Sequence, residues 1–137
     1  LDYLNETLRT YSEVLGFDIQ FGVDLESSRK DFNTVITKDG VDVFYEELSG
    51  GEKQLVNLAM AFAMNEVVSK SKGINIAFLD EVFESLSQDN IEIVVSLVKK
   101  IYQGKSIFII THQESLPISN SKTLIVNKNH GLSYYQW

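Results

Sequence analysis

The stretch ELSGGEKQ (Glu47–Gln54) holds two adjacent glycines directly before a long run of residues with helical periodicity. Ser49 and Glu52 fit the S-x-x-E capping box, which predicts that Ser49 is the N-cap of the helix that follows. Gly50 and Gly51 leave backbone N–H groups at the positive end of that helix open to the close approach of a phosphate. The two interpretations are compatible, because Ser49 can cap an empty helix and offer its hydroxyl to a bound phosphate.

Beyond this stretch, helical and apolar strand patterns alternate. Short, nearly continuous apolar strands are typical of a parallel sheet that is buried on both faces, and strand–helix–strand spacing predicts a right-handed parallel crossover. A last pair of segments flanks the turn Lys128-Asn129-His130-Gly131 and predicts a hairpin at the sheet edge. The predicted elements are helices over 52–70 and 88–103, strands INIAFLD (74–80) and SIFIITH (106–112), and hairpin strands KTLIVN (122–127) and LSYYQW (132–137).

The residues before the glycine pair have a different pattern. Leucine and tyrosine recur at spacings of three and four over residues 1–15, which fits two heptads of a coiled coil or an ordinary amphipathic helix packed on a core. FDIQFGVDL (17–25) alternates strictly and predicts a half-buried strand. FNTVITKDGVDVFYEEL (32–48) predicts two further strands around a turn at Lys38-Asp39-Gly40. The front third is therefore predicted to be a helix that leads into an antiparallel meander.

Composition limits the class of protein. A chain of 137 residues that is 44% hydrophobic suits one compact domain. The net charge of -7 means that nucleic acid is not held by overall charge alone, so any DNA contact needs a local basic patch or another chain. The absence of cysteine excludes disulfides, zinc–thiolate sites and thiol nucleophiles. Because the first residue is Leu1 within a predicted helix, we expect a fragment or one half of a split domain.

Polar residues follow both predicted parallel strands. Asp80 and Glu81 end the first of them, at the edge where open α/β sheets bind ligands. In nucleotide hydrolases a carboxylate there holds Mg²⁺ and an adjacent glutamate orients the attacking water. His112 follows the second strand, where a neutral imidazole could donate to a phosphoryl group. Taken singly, the carboxylates also fit a polar strand end, and the histidine also fits a loop cap.

One apparent phosphate-binding motif is rejected. Gly104-Lys105-Ser106 has the ending of a P-loop, G-x-x-x-x-G-K-[ST]. Lys99 stands where that motif needs its first glycine, and the segment lies between a helix and a strand, the reverse of the required order. The chain has no other Gly-Lys-Ser/Thr sequence, so it contains no P-loop.

The motifs, taken in chain order, resemble the C-terminal half of an ABC-type ATPase head. That resemblance implies an α/β fold in which the end of a returning coiled-coil helix (1–16) precedes the C-terminal lobe of the head (17–137). The lobe would lead from an antiparallel meander into a mainly parallel sheet with helices. The matching motifs are the signature Leu48–Glu52, the Walker B strand end Asp80-Glu81, the D-loop Glu84-Ser85-Leu86-Ser87 and the switch histidine His112.

Details within the motifs resemble the SMC-like DNA-repair ATPases more than transporters. The signature reads SGGEK rather than SGGQ, and Val82 follows the carboxylates where transporters usually have proline. The resemblance is to the ATPase subunit of SbcCD-type nucleases and to the large subunit of the phage recombination endonuclease. SMC chromosome-organising ATPases and a non-catalytic ABC-like interaction module are the alternatives. Ser87 departs from the family, since similar D-loops usually end in aspartate.

The resemblance also implies ATP and Mg²⁺ as cofactors and assigns roles to the motif residues. Asp80 would support Mg²⁺ through water, Glu81 would polarise the attacking water, and His112 would contact the γ-phosphate, all within one head. The signature residues would contact the γ-phosphate of ATP held by the opposite head, and the D-loop would lie between the two sites. The signature set is Ser49, Gly50, Gly51 and Glu52, and the D-loop set is Ser85, Leu86 and Ser87.

The expected partners follow from the same resemblance. They are the N-terminal half of the head, which supplies the P-loop and Q-loop, a second copy of the head, a separate nuclease subunit, and DNA. No apolar run approaches the about 18 residues that span a bilayer, so no membrane is expected. The expected location is the cytoplasm of a bacterium or of a phage-infected cell.

Overall fold

The computed structural model describes residues 1–24, 31–113, 116–119 and 121–136. Helices and strands alternate from α2 to β5, as predicted for the α/β class. Leu25 and Trp137, the ends of two predicted strands, lie outside the described residues. The elements are α1 (Asp2–Val14), β1 (Asp18–Asp24), β2 (Asp31–Lys38), β3 (Val41–Val43), a 3-10 turn (Tyr45–Glu47), α2 (Gly50–Lys72), β4 (Ile76–Asp80), α3 (Gln88–Ile101), β5 (Ser106–Ile110), β6 (Ile125–Asn129) and β7 (Leu132–Gln136).

The antiparallel meander is confirmed, with strand order β1-β2-β3. Asp39 and Gly40 form a two-residue turn in which both φ angles are positive, 52° and 78°. Turns of this kind match the right-handed twist of the strands that they join. Lys38 is the last residue of β2 rather than part of the turn, and β3 is shorter than predicted, because the chain turns into the 3-10 segment after Val43.

Helix α1 packs on α2 and also covers the outer edge of the meander. The Asn5 amide nitrogen donates to the Phe21 carbonyl at 2.9 Å, and the Asn5 amide oxygen accepts from the Phe21 N–H at 2.8 Å. This side chain pairs β1 as a neighbouring strand would. Leu8, Tyr11 and Leu15 are buried in the core. Residues 1–15 thus pack as an amphipathic helix, and a coiled coil that leads into it stays a prediction.

The core is a single cluster to which α1, β1, β2, α2, β4 and α3 contribute buried side chains, with β5 packed against it. The two strands are in register, with Ile76 opposite Ser106 and Asp80 opposite Ile110. The Tyr102 ring meets Phe62 edge-on at 6.3 Å between ring centroids. The buried apolar residues of α2 are Leu55, Val56, Leu58, Ala59, Phe62 and Ala63, and those of α3 are Ile91, Val94, Val95, Leu97 and Val98.

The prediction that β4 and β5 are buried on both faces is wrong for this chain. Ala77 and Leu79 are buried, whereas Phe78 is 66% exposed and Phe108 on β5 is 50% exposed. The two exposed rings stack at 5.0 Å between centroids. The cause is the number of strands, since among the described residues the parallel sheet consists of this pair and the core covers one of its faces. A mainly parallel sheet is therefore not formed within the described part of the chain.

The last hairpin forms, but its predicted place at the edge of the parallel sheet is wrong. β6 and β7 pair with each other in a two-stranded sheet of their own. Their turn is the two residues His130 and Gly131, both with positive φ, and is tighter than the predicted four. None of the helices in the described ranges is long and apolar enough to cross a membrane.

Candidate functional site

The carboxyl ends of β4 and β5 lie side by side because the strands are parallel. The Glu81 N–H extends the pairing by donating to the Ile110 carbonyl at 2.9 Å. Glu81 has a φ of 52°, in the left-handed region of backbone conformation that residues other than glycine rarely adopt. Backbone strain of this kind is concentrated at functional sites. It occurs here at the residue that the sequence singled out as the candidate base.

Glu81 and His112 meet at this edge. The distance between Glu81 Oε1 and His112 Nε2 is 3.0 Å, and both side chains are more than half exposed, at 55% and 81%. A carboxylate oxygen accepts the hydrogen bond when Nε2 is the protonated ring nitrogen, the arrangement that suits this contact. The two predicted catalytic side chains are thus within direct reach of each other, open to an incoming molecule.

Two side chains join the loops that follow β4 and β5. Glu84 Oε1 accepts from the Thr111 hydroxyl and from the His112 N–H, each at 3.4 Å. The Gln113 side-chain amide donates to the Phe83 carbonyl at 3.0 Å, and the Phe83 ring is fully buried. These contacts fix the backbone on both sides of the Glu81–His112 pair. Sequence reasoning missed Gln113, and its only signal was a polar residue directly after the candidate histidine.

The predicted capping box at the start of α2 is confirmed. The Ser49 hydroxyl and the Ser49 N–H both donate to Glu52 Oε2, at 2.6 Å and 2.8 Å. In return the Glu52 N–H points to Ser49 Oγ at 3.4 Å. A Cβ atom added at Gly50 would meet nothing within 4 Å. The fold itself therefore does not require a glycine there, and the open backbone is available to a molecule from outside.

A cation from the meander contacts the same glutamate. Lys38, at the end of β2, forms an ion pair with Glu52 Oε1. Its hydrogen bond, with those from Ser49, lowers the pKa of Glu52 to about 2. The same contact raises the pKa of Lys38. Sequence reasoning missed Lys38, because nothing in a hairpin sequence indicates which helix the hairpin touches.

The start of α2 and the loop after β4 form one surface. Gln54 donates from its side-chain amide to the Val82 carbonyl at 3.4 Å. A Cβ atom at Gly51 would lie 3.8 Å from the Ser85 carbonyl oxygen, and Ser85 has a φ of 65°. The predicted signature and D-loop are therefore neighbours within this chain. Leu86 of the D-loop is half-buried and packs against the core.

Ser87, the residue that departs from the family pattern, has a clear local role. It is the N-cap of α3, where its hydroxyl oxygen accepts from the Asn90 N–H at 3.4 Å. Aspartate is an equally good N-cap residue, so serine keeps this function of the position.

Replacement of Ser87 by alanine should lower the free energy of unfolding by about 1 kcal/mol, the usual cost of losing an N-cap. Ser87→Asp should retain the stability, because its carboxylate can accept the same N–H and favours the positive end of the helix. Equilibrium denaturation of the three proteins measures the difference. Equal stability of the alanine variant and the wild type would contradict the capping role.

The end of β4 offers one carboxylate, from Asp80, that could bind Mg²⁺ together with waters and phosphate oxygens. Within the described ranges, no group of three or more His, Cys, Asp or Glu side chains could hold a metal ion. Asp80 is exposed at the end of β4 and offers a carboxylate. Mg²⁺ is commonly bound by one or two carboxylates together with waters and substrate phosphates, so Asp80 fits this ion.

Comparison with known proteins gives a consistent set of similarities. Residues 11–133 match the family described as RecF/RecN/SMC N terminal domain. The chain is 32% identical over 137 residues to the DNA double-strand break repair Rad50 ATPase of Thermoplasma acidophilum, covering 96% of this chain and 14% of that protein. It is 35% identical over 83 residues to a subunit of the nuclease SbcCD from Deinococcus radiodurans, covering 60% and 9%.

A phage protein and a solved structure extend these similarities. Exonuclease subunit 2 of Escherichia phage RB69 is 27% identical over 127 residues, which cover 90% of this chain and 22% of that protein. The chain therefore spans less than a quarter of each of these three relatives. The SMC head domain from Thermotoga maritima superposes with a TM-score of 0.69 at 28% identity, covering 99% of this chain and 47% of that structure.

Proposed function

Since the chain belongs to the RecF/RecN/SMC N terminal domain family, we propose that it is the C-terminal half of an SMC-like ABC-type ATPase head. The family description refers to an N-terminal domain, and the assignment to the C-terminal half rests on the order of the motifs. In this proposal the head binds and hydrolyses ATP, and two heads dimerise around two nucleotides. The cycle serves repair or recombination at DNA double-strand breaks.

The observation that carries the proposal is the meeting of Glu81 and His112 at the carboxyl edge of β4-β5, 3.0 Å apart. Ligands of open α/β sheets bind at this edge. A carboxylate beside a histidine, on loops fixed by Glu84 and Gln113, is suited to orient a water and to contact a phosphoryl group.

The proposed roles divide between two heads. In its own head, Asp80 would hold Mg²⁺ through water and Glu81 would accept a proton from the attacking water. His112 would turn its Nε2–H from Glu81 to the γ-phosphate, which leaves the Glu81 carboxylate open to that water. Toward the opposite head, Ser49 donates its hydroxyl to the γ-phosphate, and Gly50 and Gly51 offer backbone N–H groups. Glu52 acts in this contact through Ser49, which its carboxylate holds.

The proposed ATPase activity requires the N-terminal half of the head, and the exposed face of β4-β5 is consistent with a surface that this half would cover. The chain has no P-loop of its own, so it lacks the lysine and backbone cradle for the β- and γ-phosphates. Four apolar side chains on the open face of the parallel pair lie in solvent, which is unusual for parallel strands. They are Ile76, Phe78, Phe108 and Ile110, exposed by 41% to 66%.

We expect the chain alone to hydrolyse ATP poorly and to gain Mg²⁺-dependent turnover when the P-loop-bearing half is added. Neither half contains all of the groups that phosphoryl transfer needs. Phosphate release measured for each half and for their mixture tests this expectation. Substantial Mg²⁺-dependent turnover by the isolated 137-residue chain would contradict the division of labour.

A variant pair makes the same experiment specific for the exposed sheet face. Phe108→Asp places a charge on that face and should weaken reconstitution. Val68→Asp is the matched control, because Val68 is 52% exposed on α2 and belongs to no motif. Equal loss with both variants would mean that the sheet face is not where the other half binds.

The relatives support a role with a nuclease subunit. Two of them are named as subunits of nucleases, and a third as a DNA double-strand break repair ATPase. In this proposal the head controls a separate nuclease, and DNA is held by the whole assembly rather than by this acidic chain alone. The place of action is the cytoplasm of a bacterium or of an infected host cell.

A second candidate is an SMC chromosome-organising ATPase head, favoured by the likeness to the Thermotoga maritima SMC head domain. A non-catalytic interaction module on the same scaffold is the third. Retention of both Asp80 and Glu81 favours the catalytic candidates over that module. Binding of the purified head to a double-strand-break nuclease subunit separates the first candidate from the second.

A further inference from the structure

Three side chains form a continuous chain of contacts across the start of α2. Lys38 of β2 pairs with Glu52 Oε1, and Glu52 Oε2 accepts from both the hydroxyl and the backbone N–H of Ser49. Lys53, the cation next to Glu52 in the sequence, does not take part. Its ammonium donates to the Glu46 carbonyl at 3.1 Å and lies over the Tyr45 ring.

The position of Glu52 poses an electrostatic problem for a phosphate-binding loop. A carboxylate three residues after Ser49 places a negative charge beside the position of an incoming phosphate, and like charges at such distances repel. The carboxylate also accepts the hydrogen bond of the Ser49 hydroxyl, which must turn to a bound phosphate instead. A cation that pairs with the other carboxylate oxygen offsets the negative charge of Glu52. It also weakens the hydrogen bond that Glu52 accepts from the Ser49 hydroxyl.

We infer that Lys38 is a positioning residue for nucleotide binding in trans, acting by neutralising and orienting Glu52 so that Ser49 is free to donate to phosphate. This inference rests on the proposed function. The hairpin β2-β3 thereby acts together with the signature residues Ser49–Glu52, although no residue of the hairpin belongs to a sequence motif. The lowered pKa of Glu52 agrees with a carboxylate that stays ionised and paired at neutral pH.

A double-mutant cycle tests the inference in the complete head, with Glu81→Gln present to block hydrolysis. The variants are Lys38→Met, Glu52→Gln and the two together. Glutamine at the third helical position still completes a capping box but carries no charge. The measurement is the ATP concentration at half-maximal dimer formation, followed by light scattering, with thermal unfolding recorded for each protein.

Lys38→Met should raise that ATP concentration about fivefold, or about 1 kcal/mol at 1.4 kcal/mol per tenfold. In the Glu52→Gln background the same substitution should have no effect, because the charge that Lys38 offsets is gone. Lys38→Arg should restore the wild-type value, since arginine pairs with carboxylates. The matched control is Lys100→Met, on the exposed last turn of α3, which should not shift the midpoint.

The outcomes separate this inference from the function on which it rests. If the reference head forms no ATP-dependent dimer, the proposed function is overturned, and the inference with it. If the reference dimerises but Lys38→Met leaves the midpoint within twofold, only the inference is overturned. An equal shift with and without the charge of Glu52 would assign Lys38 a direct contact with phosphate instead, and would overturn the route through Glu52.

Discussion

Glu81→Gln should stop ATP hydrolysis by the complete head while ATP binding persists, so that dimers accumulate. Glutamine has the size of glutamate and can keep a hydrogen bond to His112, but it cannot accept a proton from the attacking water. General-base catalysis contributes about 10²- to 10⁴-fold, so turnover should fall by at least about 100-fold. Phosphate release and nucleotide-dependent light scattering, measured on the same protein, report the two effects.

The matched control for this substitution is Glu92→Gln. Glu92 is exposed on α3 and belongs to no motif, so its neutralisation changes the net charge by the same amount. Wild-type turnover by Glu81→Gln would refute the base assignment. Loss of turnover together with loss of ATP binding would instead indicate that Glu81 supports the site structurally, as its contact with His112 and its strained backbone allow.

The local features of this site could be predicted from sequence because their causes are local. A capping box needs only Ser49 and Glu52 three positions apart, and it forms as expected. Asp80 and His112 follow apolar runs that become parallel strands, so their common edge follows from topology. The contact between Glu81 and His112 was not predicted, because it depends on loops fixed by Glu84 and Gln113.

The features that sequence could not supply depend on contacts between distant segments or on atoms outside the chain. Lys38 reaches Glu52 only because the meander folds against the start of α2. The apolar runs of β4 and β5 predict burial on both faces, and the structure buries one. An apolar run reflects the burial of a strand in the complete sheet, and other chains or segments can supply part of that sheet. Under the proposed function, Phe78 and Phe108 would be covered by the N-terminal half of the head.

Ser49→Arg should leave the chain folded and prevent ATP-driven dimerisation. Ser49 is exposed at the open start of α2, so the new side chain displaces no core residue, and losing the cap costs about 1 kcal/mol. At the interface, arginine fills the space that the opposite nucleotide would occupy and removes the hydroxyl donor. Each hydrogen bond to a charged phosphate contributes about 1.5–3 kcal/mol, and a dimer has two such sites. Dimerisation should weaken by roughly 3–6 kcal/mol, a factor of about 10² to 10⁴.

The control for this prediction places the same substitution at the other end of the same helix. Ser71→Arg, in the exposed last turn of α2, adds the same charge and bulk far from the signature residues. Light scattering with ATP and Mg²⁺, and thermal unfolding of both variants, compare assembly with folding. If Ser49→Arg dimerises as well as Ser71→Arg does, the start of α2 does not grip the nucleotide of a second head. If Ser71→Arg dimerises and Ser49→Arg does not, Ser49 and the glycine pair act in binding the nucleotide of the second head. Their role within this chain would not explain the loss, because the N-cap contributes only about 1 kcal/mol to folding.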